Sequence, residues 1–197
     1  MRSVLFQNAY FRFTEVKNGQ ENLLISRTDQ LTGIENRRGL VSFVGTHESG
    51  WKLRGDYVTL VMFDVDFFKQ YNDYFGHIKG DEALQDIVSS ITSAFPSKSL
   101  DFFRYGGDEF IIFFDEPNMA EVESFCKKIL VSVRNKKIKA SPDASSPYLS
   151  ITLGAKTMKA NEIYTLNEHI DQADKLLYKA KNEAKGEGIV NGAKITE

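Results

Sequence analysis

Cysteine is almost missing from this chain. Cys126 is the one thiol in 197 residues, so no internal disulfide can form and the fold must be held by its core. That usage fits a reducing, cytoplasmic setting. Proline occurs only four times, and no long low-complexity tract or internal repeat interrupts the chain. No apolar run approaches the roughly 18–20 residues of a membrane span. The N-terminus also lacks the basic-then-apolar pattern of a secretion signal. No membrane contact is therefore expected. Charge of one sign is missing too: 25 basic residues face 27 acidic ones, a net charge of −2. Nothing in that balance calls for a nucleic-acid partner, and an anionic substrate would need local basic residues or a metal.

What is present is an ordinary globular composition, 42% hydrophobic and 26% charged, long enough for one domain with a substantial core. Residues 1–28 stand apart. Tyr10 to Val16 partly alternates, Asn18-Gly19 is a tight-turn pair, and Leu23-Leu24-Ile25 follows, which reads as a lead β-hairpin or the remnant of an upstream domain. Residues 29–190 read as the globular domain and 191–197 as a tail. Asn36 is a plausible N-cap for a helix through about His47, with a loop from Glu48 to Asp56. Tyr57 to Val65 is a near-continuous apolar run, expected as a strand buried on both faces. A short helical turn and loop over 67–77 precede a helix from Asp81 to about Ala94, whose stripe is Leu84, Ile87, Val88 and Ile91. A further helix spans Met119 to Arg134 and places Cys126 in its apolar stripe, where a core thiol is expected rather than a nucleophile. A strand over 148–157, broken by Gly154, and a helix over 167–184 follow, with Ile189-Val190 as an edge strand.

The organising stretch is Arg104-Tyr105-Gly106-Gly107-Asp108-Glu109-Phe110. Phe102-Phe103 precede it and Ile111 to Phe114 follow, so it reads as the tip of a β-hairpin turned on a glycine pair that tolerates positive φ. The tip carries Asp108 and Glu109. Acids at a hairpin tip are usually only solvated turn residues. Here buried-looking strands flank them, and a second acidic pair, Asp64 and Asp66, closes the apolar strand before them. Carboxylates gathered at strand ends are how a protein collects Mg²⁺ around a phosphate. A hairpin inside an alternating helix–strand order gives a mixed α/β (α+β) domain: a palm-like, ferredoxin-like arrangement with a central mixed, largely antiparallel sheet flanked by helices.

With these residues in place, the chain resembles the GGDEF family of diguanylate cyclases. The resemblance runs from about Asp29 to Val190. It rests on Asp29-x-Leu31-Thr32-Gly33 with Asn36-Arg37-Arg38, Phe63-Asp64-Val65-Asp66-x-Phe68-Lys69, Asn72-Asp73-x-Phe75-Gly76-His77 with Gly80-Asp81, the signature itself, and Ala173-Asp174-x-x-Leu177-Tyr178-x-Ala180-Lys181. One pentapeptide alone is weak; five motifs in order are specific. The resemblance implies condensation of two GTP into cyclic di-GMP with release of two pyrophosphates, across a homodimer in which each 3′-hydroxyl attacks the other nucleotide's α-phosphate. It implies Mg²⁺, with Mn²⁺ as a substitute, held by Asp64, the Val65 carbonyl, Asp108 and Glu109. Asp108 is the implied candidate for deprotonating the 3′-hydroxyl, with Asp64 and Glu109 sharing the catalytic cluster. Asp66 reads equally well as a structural turn or capping group.

Substrate contacts follow by the same resemblance. Backbone near Phe68 and the Lys69 ammonium suit phosphate. Asn72 and Asp81 match a guanine-reading pair, although Asp81 by itself reads as a helix N-cap. His77 reads as a nucleotide contact or a structural hydrogen bond, and Lys181 as a phosphate ligand. At Ala184-Lys185 the family often has Gly-Arg, so Lys185 keeps the charge but not the guanidinium fork. The family's upstream Arg-x-x-Asp feedback motif falls on Ser97 and Leu100, with Lys98 and Asp101 one residue out of register, so strong product feedback through that site is not expected. The competing reading is a non-catalytic GTP-binding or cyclic-dinucleotide-sensing module.

Overall fold

The structure is a computed structural model, and it describes residues 27–97, 100–116, 118–162 and 165–196. The expected N-terminal hairpin and Lys98 lie outside the described residues. A seven-stranded sheet forms the middle layer. Its strands are β1 (Glu35–Asn36), β2 (Tyr57–Val65), β3 (Asp101–Arg104), β4 (Glu109–Phe114), β5 (Ile151–Lys159), β6 (Gly188–Val190) and β7 (Ala193–Ile195). The spatial order is β1-β3-β4-β2-β5-β6-β7. Pairing is parallel at β1–β3 and β5–β6 and antiparallel elsewhere, so the expected mixed, largely antiparallel sheet is what forms. The helices are α1 (Arg37–Arg54), α2 (Phe68–Phe75), α3 (His77–Ala94), α4 (Met119–Lys136) and α5 (Leu166–Glu183).

Strand alternation divides the core in two. Val61, Phe63 and Val65 of β2, with Phe110 and Ile112 of β4, face α3 and α4. Val58, Leu60 and Met62, with Ile111 and Phe113, face α1 and α5. Both faces of β2 are therefore covered, which is why its sequence runs apolar without alternating.

Several boundaries differ from the sequence expectation. Helix α1 starts at its expected cap, where Asn36 Oδ1 accepts from the Arg38 and Gly39 amides at 2.8 and 3.2 Å, but it continues past His47 to Arg54. Gly45 and Gly50 weaken a helix locally. The gain from seating Trp51 beside Leu40 and Val44 in the core outweighs that, and Gly55 closes the helix in the left-handed region at φ 69°. Strand β5 is not broken at Gly154. A Cβ there would lie 2.2 Å from the Leu177 backbone nitrogen and 2.4 Å from the Ala173 carbonyl, so this glycine is where α5 meets the sheet. Strand β6 is interior rather than an edge: the chain turns through Asn191-Gly192, and β7 pairs outside it with Ile195 buried.

Candidate functional site

The sheet register brings the acids together. Asp64, next to last in β2, pairs directly with Glu109, the first residue of β4. Paired residues project to the same face, here the one covered by α5. The tip is tied down by its backbone: the Tyr105 and Gly106 amides both donate to the Glu109 carbonyl, at 2.9 and 3.2 Å, and the Val65 amide donates to the Asp108 carbonyl at 3.3 Å. From α5, Lys181 Nζ reaches Asp64 Oδ2 at 2.9 Å. Lys181 pairs with Asp64 and exerts a weaker charge influence on Asp108 and Glu109. Burial, and then the charge of Asp64, push Asp108 above the ordinary carboxylate range, against the smaller pull of Lys181 and Arg104. Burial followed by the charges of Asp64 and Asp108 raises Glu109 likewise.

The glycine pair acts differently from the expectation. Neither Gly106 nor Gly107 has positive φ. A Cβ at Gly106 would sit 2.9 Å from Glu109 Oε2, the movable end of that side chain, while nothing lies within 4 Å of a Cβ at Gly107. The open space beside the acids is therefore at Gly107.

A brace behind the tip escaped the sequence reading. Arg104 donates through Nη2 and Nε to the Gly107 carbonyl at 2.7 and 3.0 Å. Its Nη1 contacts both oxygens of Asp29, at 3.1 and 3.2 Å. Asp29 also accepts from the Thr32 amide and hydroxyl, at 2.9 and 2.7 Å. Burial alone would raise the Asp29 carboxyl; the Thr32 hydrogen bonds and the Arg104 charge outweigh it and hold the group below its usual range. The signal was in the sequence, in the 75-residue separation of an Asp-x-x-Thr turn and an arginine, but only the fold joins them.

An open cleft of about 460 Å³ lies between this tip and helices α2 and α3, lined by Phe68, Lys69, Asn72, His77, Asp81 and Asp108 among others. It collects the expected nucleotide contacts except the two lysines of the C-terminal part. Asp81 is not an N-cap. Helix α3 begins at His77 after Gly76, whose φ of 86° turns the chain between α2 and α3, so Asp81 lies a turn inside the helix with an exposed side chain. Asn72 is held against Gly80, where a Cβ would lie 1.8 Å from Asn72 Oδ1. That oxygen is buried and has no hydrogen-bond partner among the described residues. A buried unpaired amide oxygen on a cleft wall is a position a ligand donor can complete. His77 is exposed at the cleft's rim.

Lys185 stands outside the cleft, with Nζ 3.9 Å above the ring centre of Phe67. Asp66 is 1% exposed, and both its oxygens are taken by Ser150 and Thr152 hydroxyls at 2.6 and 2.7 Å. Of its two readings these contacts favour the structural one. Cys126 is fully buried in the core, where burial pushes its thiol pKa up.

Asp64, Asp108 and Glu109 are not drawn into a closed metal cage: among the described residues no group of three or more His, Cys, Asp or Glu is gathered tightly enough to hold an ion by itself. Their chemistry nevertheless fits a hard divalent cation whose remaining ligands come from phosphate and water. Burial first, and then the neighbouring carboxylate charges, raise the pKa values of Asp108 and Glu109, and a bound cation would offset the charge part of that cost. Among the described residues, no helix is long and apolar enough to cross a membrane.

A family profile described as diguanylate cyclase, GGDEF domain, matches residues 26–187. The response regulator PleD of Caulobacter vibrioides is 31% identical over 183 residues, covering 92% of this chain and 39% of PleD. The diguanylate cyclase DgcM of Escherichia coli is 31% identical over 177 residues, covering 87% of this chain and 40% of DgcM. The chain thus spans about two-fifths of the length of these relatives. Among solved structures, the coiled coil and GGDEF domain of DgcB from Caulobacter crescentus, in complex with c-di-GMP, superposes with a TM-score of 0.75 at 24% identity, covering 92% of this chain and 96% of that one; at that identity the likeness shows the fold. Diguanylate cyclase SiaD of Pseudomonas aeruginosa, in complex with its activator SiaC, gives a TM-score of 0.71 at 25% identity, covering 94% of this chain and 70% of that one.

Proposed function

The chain belongs to the GGDEF diguanylate cyclase domain family, and on that premise we propose that it condenses two GTP molecules into cyclic di-GMP and two pyrophosphates. The observation that carries the proposal is the acid cluster Asp64, Asp108 and Glu109 set beside a cleft that ends in Asn72 and Asp81. Asp81 accepts from guanine N1–H and the exocyclic amine, and Asn72 pairs with the base's remaining edge. Lys69 and the backbone near Phe68 take phosphate oxygens, and Lys181 exchanges Asp64 for phosphate when nucleotide enters. Mg²⁺, or Mn²⁺ in its place, held by Asp64, the Val65 carbonyl, Asp108 and Glu109, supplies charge neutralisation at the triphosphate.

Asp108, with its raised pKa, is suited to take the 3′-hydroxyl proton, since a carboxylate is a better base the closer its pKa lies to neutrality. The alkoxide oxygen forms its bond to the α-phosphorus of the facing nucleotide, and pyrophosphate departs from that phosphorus. Because each domain binds one GTP, two copies face each other and the step occurs twice. Positioning and charge do the catalytic work in such a transfer.

The test is to incubate the purified chain with GTP and Mg²⁺, beside an Asp108→Ala variant, and separate the nucleotides. Cyclic di-GMP from the wild type alone is the expected result. No product at high protein concentration, where a weak dimer forms, would overturn the cyclase reading; Mg²⁺-dependent GTP binding without turnover would replace it with the sensing-module reading.

A further inference from the structure

Asp66 and Phe67 form the turn between β2 and α2, and neither belongs to the acid cluster or lines the cleft. Both are linked to one distant segment, the loop 184–187 that follows α5. Asp66 reaches it through a hydroxyl. Thr152 Oγ1 donates to Asp66 Oδ1 at 2.7 Å and accepts the Gly186 amide proton at 3.0 Å. A hydroxyl has one proton, so giving it to the carboxylate fixes a lone pair toward Gly186. Ser150 saturates the other carboxylate oxygen at 2.6 Å, and the Asp66 amide donates to the Ser150 carbonyl at 2.9 Å. The network is buried: Asp66 is 1% and Thr152 0% exposed. Gly186 is held on its other side by Arg134, whose Nη2 donates to its carbonyl at 3.2 Å, and its φ of 80° is in the left-handed region. The next residue of the turn, Phe67, is itself left-handed at φ 58° without being glycine, a costly conformation for an aromatic residue. That conformation accompanies a ring face turned to the ammonium of Lys185, 3.9 Å away.

We propose that the Asp66–Phe67 turn is a positioning device for Lys185, holding its ammonium beside the start of α2 to take the pyrophosphate end of a nucleoside triphosphate. Asp66 acts through Thr152 on the loop's backbone, and Phe67 acts on the side chain. A lysine has no preformed fork and loses much freedom when it binds. A pinned backbone and an aromatic seat restrict it beforehand, which reduces the entropy lost on binding. Asp66 is on this account a positioning residue and not a metal ligand. The inference rests on the cyclase reading for the identity of the ligand.

The experiment compares Thr152→Val, Thr152→Ser, Phe67→Leu and Lys185→Ala, and the pairs Thr152→Val/Lys185→Ala and Phe67→Leu/Lys185→Ala, in the full chain. GTP Kd, KM and kcat are measured, with exchange of the Gly186 amide followed by NMR. Lys185→Ala should raise KM for GTP about tenfold, the size of one charge-assisted phosphate contact, with kcat and the Mg²⁺ midpoint unchanged. Thr152→Val should do the same and lose Gly186 protection, and Thr152→Ser should restore both. Each pair should be no worse than Lys185→Ala alone, since the first change acts only through the second. Multiplying effects in the pairs, or a Thr152→Val variant with unchanged KM, would overturn the proposal. Should Thr152→Val not fold, Phe67→Leu, which leaves the buried network intact, decides by the same criterion. Wild type that binds no GTP overturns the cyclase reading and the ligand assigned here. Wild type that binds GTP beside an indifferent Phe67→Leu and Thr152→Val overturns this inference alone.

Discussion

Asp108 carries a stability cost in the folded chain. Its pKa is raised in the folded chain by burial and by Asp64, so its ionised form weakens the fold above that pKa, and the penalty disappears as pH falls below the unfolded value. Replacing it with Asn should therefore raise the melting temperature of metal-free protein at neutral pH, most at low salt, while abolishing both cyclic product and the stabilisation that Mg²⁺ with GTP gives the wild type. A calorimetric series with and without the ligands checks all three. His169 gives the opposite slope. Burial pushes its pKa down to about 4, against the Lys156 carbonyl bonded to its ring at 2.9 Å. Phe113 packs edge-on against the ring. Unfolded histidine takes a proton near pH 6.5. Stability should then be full above that value and fall through the window from 6.5 to about 4, a loss of about 3 kcal/mol at most. Urea titrations of wild type and His169→Gln across this window should show the difference between them shrinking as pH falls.

At the scale of elements, two long-range joints carry the site. The first is the crossing of α5 over β5 at Gly154, which aims Lys181 at Asp64. Gly154→Ala places a methyl group 2.2 Å from helix backbone, and since neither backbone can yield without moving the other, destabilisation of about 3 kcal/mol is expected, measurable by chemical denaturation. The second is the Asp29–Arg104–Gly107 brace. Asp29→Ala leaves a largely buried guanidinium without its carboxylate, which should lower stability by about 2 kcal/mol and also reduce kcat, because the Asp108 backbone follows directly on Gly107. A kcat equal to wild type would show that the brace serves folding only.

For the whole molecule, the proposed reaction would require two chains, because on that proposal one domain holds one nucleotide and the ring needs two. At concentrations below the dimer dissociation constant, product formation should rise with the square of protein concentration. Excess Asp108→Ala should then depress wild-type turnover, since a mixed dimer lacks one of two bases; dilution series and mixing experiments read both effects. The sequence by itself determined the elements whose signals are local. The apolar run of β2, the stripes of α3 and α4, the Asn36 cap and the acidic hairpin tip all depend on side chains within a few residues of one another. The five ordered motifs likewise fixed the family. It misjudged the end of α1, the start of α3 and the continuity of β5, because there tertiary contacts override local preference: Trp51 draws α1 past two glycines, Gly76 lets α3 begin four residues before Asp81, and α5 lies on Gly154. Only the tertiary structure distinguished the surroundings of two neighbouring aspartates. Asp64 and Asp66 look alike in the sequence. In the fold one sits opposite Glu109 and Lys181, and the other is sealed by hydroxyls more than eighty residues along the chain. Burial and hydrogen bonding set a carboxylate's chemistry, and both come from residues that sequence separation hides.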